Sequence, residues 1–72
     1  MNKKEFRKFI ESIGFEFNNI YIFYGYKEYR IKLYNNYYHF FNGSEWIRNI
    51  DYNDLTPLKQ IERSYKLKKI LG

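Results

Sequence analysis

Residues 29–41 read YRIKLYNNYYHFF, and this stretch has the pattern of two β-strands joined by a turn. In its first half, Tyr29, Ile31 and Leu33 alternate with charged or polar neighbours. Successive side chains of a strand point to opposite faces, so the alternation predicts one buried face and one solvent-facing face. Asn35 and Asn36 tolerate the positive φ of a tight turn. The stretch therefore predicts an antiparallel hairpin.

The period of two continues on both sides of this hairpin, from residue 15 to about residue 50. Turn-forming residues interrupt it at 18–19, at Gly25 and at Asn42-Gly43, and Asn-Gly is a strong hairpin signal. The clearest strands are predicted at residues 20–24, 29–34 and 37–41, and residues 15–17 and 46–50 are weaker candidates for edge strands. We therefore expect an antiparallel meander of three or four strands.

An amphipathic helix is predicted on each side of the meander. Asn2 and Glu5 have the spacing of a capping box, and apolar side chains then recur at helical intervals up to Gly14, where a C-terminal cap is expected. Thr56 is suited to the N-cap of the second helix and Pro57 to its first position. This helix should continue to about residue 71.

The apolar stripe of the second helix changes direction near its C-terminal end. At about 100° per residue, Leu67, Ile70 and Leu71 point away from the face that Leu58 and Ile61 define. Either the last turns unwind and fold over the core, or this apolar end docks on another chain. We favour unwinding, because terminal segments are often irregular and small domains bury the apolar groups they have.

These elements define one fold class. At 72 residues the chain supports a single domain, residues 1–72, with one core. The order α-β-β-β-(β)-α predicts an α+β two-layer sandwich with both helices on one face of the sheet. The chain has no Cys, so its seven Phe, nine Tyr and one Trp must supply the stability that disulfides give other small domains. A homodimer whose interface completes the core is an alternative source of stability.

The charge balance indicates an anionic partner. The formal net charge is +5 and the pI is about 9.5, which favours nucleic acid or a nucleoprotein complex. Residues with A/T-rich codons are abundant, so codon bias accounts for part of the Lys and Tyr excess and suggests an A/T-rich bacterium or a phage as the source. The basic N-terminus is not followed by an apolar signal region, and no run approaches membrane-spanning length. We therefore expect a cytoplasmic protein without a membrane partner.

The residues needed for catalysis are scarce. There is one histidine, His39, and no carboxylate lies near it in sequence, so we expect no general acid or base role for it. Asp51, Asn53 and Glu62 match part of a calcium-loop spacing, but Thr56 stands where that loop requires Gly. We therefore expect no enzymatic activity, no metal and no cofactor.

A basic, tyrosine-rich surface is the leading candidate for binding. Arg30, Lys32 and Tyr34 share the predicted solvent face of one strand, and the outward tyrosines of the neighbouring strands are expected among Tyr21, Tyr37 and Tyr38. Cations neutralise phosphate while rings stack on bases, which suits single-stranded nucleic acid. Cations of the second helix add a further basic set. The predicted nucleic-acid-binding residues are Arg30, Lys32, Tyr34, Tyr38, Arg63, Lys66 and Lys69. The alternative is an ordinary solvated face that binds nothing.

A protein partner is the second hypothesis. Trp46 follows the Asn-Gly turn with Arg48 two residues later, and Trp and Arg are frequent interface hot spots. The C-terminal run mixes cations with aliphatic residues, which suits an acidic protein groove. The expected anchors are Trp46, Arg48, Leu67, Ile70 and Leu71. Such a protein would be an inhibitor or adaptor, encoded by a phage or mobile element, that blocks a host protein such as a defence nuclease by direct contact.

Overall fold

Two helices pack on one face of a five-stranded antiparallel sheet in the computed structural model, which describes residues 1–71. The elements in chain order are α1 (Lys3–Ser12), β1 (Glu16–Asn18), β2 (Phe23–Tyr26), β3 (Tyr29–Leu33), β4 (Tyr37–Phe41), β5 (Trp46–Asp51), a 3-10 turn (Thr56–Leu58) and α2 (Lys59–Leu71). The strand order in the sheet is β1-β2-β3-β4-β5, so each strand pairs with its neighbour in sequence. The predicted α+β sandwich is confirmed, with five strands instead of three or four.

The two weaker candidates for edge strands, residues 15–17 and 46–50, form β1 and β5. The strand predicted at residues 20–24 was misplaced. Residues 19–22 form a turn instead of the beginning of a strand, and β2 starts at Phe23. Asn18 is responsible, because its side-chain oxygen accepts hydrogen bonds from the main-chain N–H groups of Ile20 and Tyr21 and so favours a turn. Gly25, predicted to be in a turn, lies within β2, and the turn that follows is made by Lys27, whose φ is 52°.

Both ends of α1 are capped by local sequence. The predicted capping box is confirmed: the Asn2 side chain accepts a 2.8 Å hydrogen bond from Glu5 N–H, and the Glu5 carboxylate accepts a 2.9 Å bond from Asn2 N–H. At the other end, Gly14 N–H donates to Glu11 and Phe15 N–H donates to Ile10, which is the Schellman arrangement. Gly14 has a φ of 103°, which allows the chain to turn from α1 into β1.

The core lies between the sheet and the helices and is rich in aromatic rings. Phe6 of α1 packs on Tyr38 with a ring-centroid distance of 4.4 Å and on Tyr52 at 4.9 Å. Tyr65 of α2 meets Tyr26 edge-on at 5.9 Å. The buried side chains are Phe6, Ile10, Ile13, Phe15, Tyr24, Ile31, Tyr38, Phe40, Ile50, Tyr52, Leu58 and Ile61. The helices therefore cover one face of the sheet.

The second helical segment begins as predicted at Thr56-Pro57, but with a different cap. Thr56 is not the N-cap residue; the Asp54 carboxylate accepts a hydrogen bond from the Thr56 N–H at 3.1 Å, and a single 3-10 turn precedes α2. The bonds from Thr56 lower the pKa of the Asp54 carboxyl.

The preferred interpretation of the C-terminal end was wrong. Residues 67–71 remain helical, and Leu67, Ile70 and Leu71 are exposed by 54%, 80% and 78%. The hydrogen-bonded ion pair between Lys66 and Glu62, at 2.9 Å, and the Lys69 ammonium 5.1 Å from the Tyr65 ring centre both support continued helix. These local contacts are satisfied without folding the apolar residues over the core.

Candidate nucleic-acid interface

The sheet face opposite the helices carries cations and rings side by side; we call it the open face. Within β3, Ile31 is buried and Lys32 is exposed, so the predicted division of this strand is confirmed. The pairing of β2 to β5 brings further side chains to the same surface. The open-face residues used below are Phe23, Arg30, Lys32, Tyr34, Tyr37, His39, Phe41, Trp46 and Arg48.

Strand register sets two adjacent rows across the open face. In the first row, Arg30 lies opposite Phe41, and Phe41 lies opposite Trp46 with a ring-centroid distance of 5.4 Å. In the second row, Lys32 lies opposite His39. Each row therefore begins with a cation on β3 and continues with rings on its neighbours.

A bulge in the last strand brings a further cation to this surface. The pairing of β4 with β5 shifts between Tyr38 and Phe40, where Asn49 takes a φ of 56°. Asn49, which follows Arg48 in sequence, has its side-chain Oδ1 3.4 Å from His39 Nε2. Arg48 then shares a shallow depression of about 200 Å³ with the residues of the two rows; its lining is Lys32, Tyr34, His39, Trp46 and Arg48.

Three rings at one edge of this depression contact one another, two of the three pairs being stacked and the Tyr34–His39 pair tilted by 45°. Tyr34 lies 5.0 Å from Tyr37 with nearly parallel planes, and His39 lies 4.5 Å from Tyr34. Trp46, on the other side, keeps 39% of its surface exposed. Flat rings held by their neighbours lose little freedom when a further planar group stacks on them.

Arg30 is held by its own turn. Its Nη1 donates to the carbonyl oxygens of Lys27 at 2.6 Å and Tyr29 at 2.7 Å, and the guanidinium carbon lies 5.4 Å from the Phe23 ring centre. A guanidinium has five N–H donors, of which Nη1 carries two. Arg30 therefore stabilises the β2–β3 turn and presents its remaining edge to the open face.

The sequence-predicted residues separate into three places. Arg30, Lys32 and Tyr34 lie together on the open face, as expected. Trp46 and Arg48, expected as protein anchors, also lie there, beside the cations. Arg63, Lys66 and Lys69 are exposed on α2, in the other layer, and Leu67, Ile70 and Leu71 lie at the C-terminal end of that helix.

Tyr38 is a correction, because it does not lie on the open face. Its side chain is completely buried against Phe6, and its hydroxyl donates a 2.7 Å hydrogen bond to the main-chain carbonyl of Asp54. It is a core residue. Its neighbour Tyr37, which was also expected to face outward, lies on the open face together with His39.

His39 and Phe41 were missed as members of the binding surface. The alternation in β3 identified the outward side of that strand, but β4 is apolar or aromatic at nearly every position, so its sequence does not distinguish the two faces. Only the pairing of Lys32 with His39 and of Arg30 with Phe41 reveals which rings accompany the cations.

The histidine and the acidic side chain at this face make local contacts. The hydrogen-bonding neighbour of His39 is the Asn49 side chain, not a carboxylate. In residues 1–71 no group of three or more His, Asp or Glu side chains is positioned to hold a metal ion. Asp51, the acidic residue that pairs with Tyr37, accepts a hydrogen bond from the Asn53 N–H at 2.8 Å and serves a turn.

Comparison with known proteins identifies no relative of this chain. No protein-family model matches it, and neither the curated proteins nor the solved structures contain a significant match. Of the helices in residues 1–71, none has the length and apolar character needed to cross a membrane.

Proposed function

We propose that this protein binds single-stranded nucleic acid, free or within a nucleoprotein complex, through the open face, and that it is not an enzyme. The observation that carries the proposal is the depression in which Lys32 and Arg48 flank Tyr34, His39 and Trp46. Cations neutralise phosphates while the rings accept bases by stacking, which needs no particular base sequence. The cytoplasm of a bacterial or phage-infected cell is the compartment we assign to it.

The test uses fluorescence anisotropy with labelled oligothymidylate and oligouridylate. Replacing Lys32 and Arg48 together with Glu should weaken binding about tenfold or more, because two phosphate contacts become repulsive. The matched control replaces Arg63 and Lys69 with Glu, which changes the net charge equally on the other layer. Equal losses in the two variants would mean that the total charge, not the open face, governs binding, and would overturn the proposal.

Salt dependence provides a second, independent measure. If Arg30, Lys32 and Arg48 each displace one counterion, the logarithm of the association constant should fall with the logarithm of salt concentration with a slope of about −2. A slope near zero would contradict an electrostatic interface. The contribution of Arg63 and Lys69 is then the part of the slope that the α2 variant removes.

The alternative function is that of an inhibitor or adaptor that binds a host protein by direct contact. It is favoured by one observation: Leu67, Ile70 and Leu71 are exposed together near the C-terminal end of α2, where they can serve a partner or a second copy of the chain. Trp46 and Arg48 belong to the sheet layer, so the anchors predicted for a single protein interface lie on two layers. The predicted nucleic-acid-binding residues also lie on two layers, but the cations and rings of the open-face depression form a basic, aromatic surface without the residues of α2, and the nucleic-acid proposal is therefore preferred.

A further inference from the structure

The loop between β1 and β2 exposes apolar side chains without burying any of them. Ile20 is 80% exposed and Ile22 is 60% exposed, and Tyr21 between them is also exposed. Phe17, in β1 just before the loop, is half exposed. These aliphatic side chains lie outside the core, and exposed apolar groups that cluster in this way mark interaction sites.

Hydrogen bonds hold this loop in one conformation. Asn18 Oδ1 accepts from Ile20 N–H at 2.9 Å and from Tyr21 N–H at 3.1 Å, and Ile22 N–H donates to the Asn18 carbonyl at 3.0 Å. Ile22 has a φ of 57°, which is unfavourable for a β-branched residue. A strained residue kept in place by its surroundings indicates a position selected for something other than stability.

The strained residue forms one side of a groove. A cavity of about 530 Å³ lies between α1 and the β1–β2 hairpin. Phe17, Ile22, Tyr24 and Leu33 supply its apolar lining, and α1 supplies Lys3, Arg7 and Glu11. Tyr24 and Leu33 point to the helix side of the sheet, so this groove is separate from the open face.

The chemistry of the groove specifies a protein segment. Its lining is aliphatic as well as aromatic, and it is concave, which suits inserted side chains better than stacked bases. Lys3 and Arg7 outnumber Glu11 along the α1 wall. The complementary occupant therefore has apolar anchors on one side and acidic residues beside them.

A second copy of the chain does not meet this requirement. Its α2 has the sequence KQIERSYKLKKIL, with five cations and one carboxylate, and α1 is also net basic. Either helix would bring positive charge to Lys3 and Arg7.

We infer that the groove binds an acidic amphipathic helix of a partner protein, with apolar residues at helical spacing seated on Phe17, Ile22 and Leu33 and carboxylates paired with Lys3 and Arg7. This is the helix-in-groove mode of recognition. It goes beyond the nucleic-acid proposal, because it concerns the opposite side of the sheet and a different partner.

The experiment selects binders from a library of random peptides displayed on phage, using the full chain as bait, and measures the affinity of the enriched peptides by anisotropy. Enriched sequences should combine apolar residues at intervals of three and four with Asp or Glu. Their affinity should fall at least about tenfold in Ile22→Asn and in Arg7→Glu. Asn suits the positive φ at position 22, so this variant keeps the loop conformation.

Matched controls separate the groove from general effects. Lys8→Glu makes the same charge change on α1 outside the groove lining, and Ile47→Asn makes the same apolar-to-polar change on β5; both should retain peptide binding. Failure to enrich any peptide would overturn the inference, as would peptides without acidic residues or equal losses in variants and controls. A dimer of the free protein that Ile22→Asn dissociates would also overturn it, because the occupant would be a second copy.

Discussion

The hydroxyl of Tyr38 donates a 2.7 Å hydrogen bond to the main-chain carbonyl of Asp54, which ties β4 to the segment that leads into α2. Replacing Tyr38 with Phe keeps the ring but removes this bond, so we expect the free energy of unfolding to fall by about 1 kcal/mol. Chemical denaturation measures the change. Tyr37→Phe, on the open face, is the control and should alter stability by less than about 0.5 kcal/mol. An equally small effect at Tyr38 would show that the bond contributes no stability.

Stability should decline at alkaline pH. Burial raises the pKa of Tyr24, Tyr38 and Tyr52 above the value of about 10 for a free phenol. A raised pKa in the folded state means that the neutral phenol is favoured, so its contribution is complete below about pH 10 and is lost as the pH rises towards the folded-state values. We expect a constant Tm from about pH 7 to about pH 9 and a steep fall above about pH 10. A Tm that stays flat throughout would contradict this account.

Gly14 should tolerate no side chain. A Cβ at this position would lie 2.8 Å from the Tyr26 ring and 2.9 Å from the Tyr65 ring, in a backbone conformation with a φ of 103°. We expect Gly14→Ala to cost about 2 kcal/mol or more, since both the positive φ and the overlap are unfavourable.

Gly43 provides the comparison for this substitution. Its φ is 99°, but its Cβ would meet only the flexible Glu28 side chain, at 3.0 Å. Gly43→Ala should therefore lower the free energy of unfolding only by the cost of placing a non-glycine residue at positive φ, about 1 kcal/mol. Thermal unfolding of both variants, followed by circular dichroism, measures the difference. Similar losses would mean that Tyr26 and Tyr65 move aside easily.

Trp46 should report and strengthen nucleic-acid binding. It is the only Trp, and it lines the depression beside Lys32 and Arg48, so its fluorescence should be quenched when a base stacks on it. Trp46→Ala should weaken binding of a labelled oligonucleotide by about 5- to 100-fold, the usual effect of removing one stacking ring. Trp46→Phe should recover most of this loss. Unchanged affinity in Trp46→Ala would remove the stacking component of the proposal.

The apolar end of α2 should be dispensable for folding. Replacing Leu67, Ile70 and Leu71 together with Gln should change Tm by no more than a few degrees, because all three are exposed and Gln retains helix propensity. Light scattering of the same variant tests the homodimer: a monomer in both proteins means that these residues do not hold two copies together. A large fall in Tm together with a halved mass would show that α2 completes a dimeric core.

The sequence was most informative where each element has a polar and an apolar side. The capping box of Asn2 and Glu5, the cap at Gly14 and the alternation in β3 all predicted what the structure shows. Each depends on contacts within a few residues. Local rules of this kind are readable without knowledge of the tertiary structure.

The errors occurred where the decisive contact is distant or where both sides are apolar. In β4 the sequence Tyr-Tyr-His-Phe-Phe leaves the inward side ambiguous, and the burial of Tyr38 depends on Phe6 and Asp54, far away in the chain. The β1–β2 loop has strand-like composition, yet the Asn18 side chain makes it a turn. The sequence therefore identified the residues that β3 contributes to the candidate site, but only some of those on the other strands.

The strand order of the sheet has a consequence for how the chain folds. Every strand pairs with its neighbour in sequence, so each pairing closes only a short loop and loses little conformational entropy. We expect rapid folding in a single kinetic phase. During synthesis the first hairpins can pair as soon as they leave the ribosome. The core is complete only when Leu58 and Ile61, which follow the sheet in sequence, pack against it.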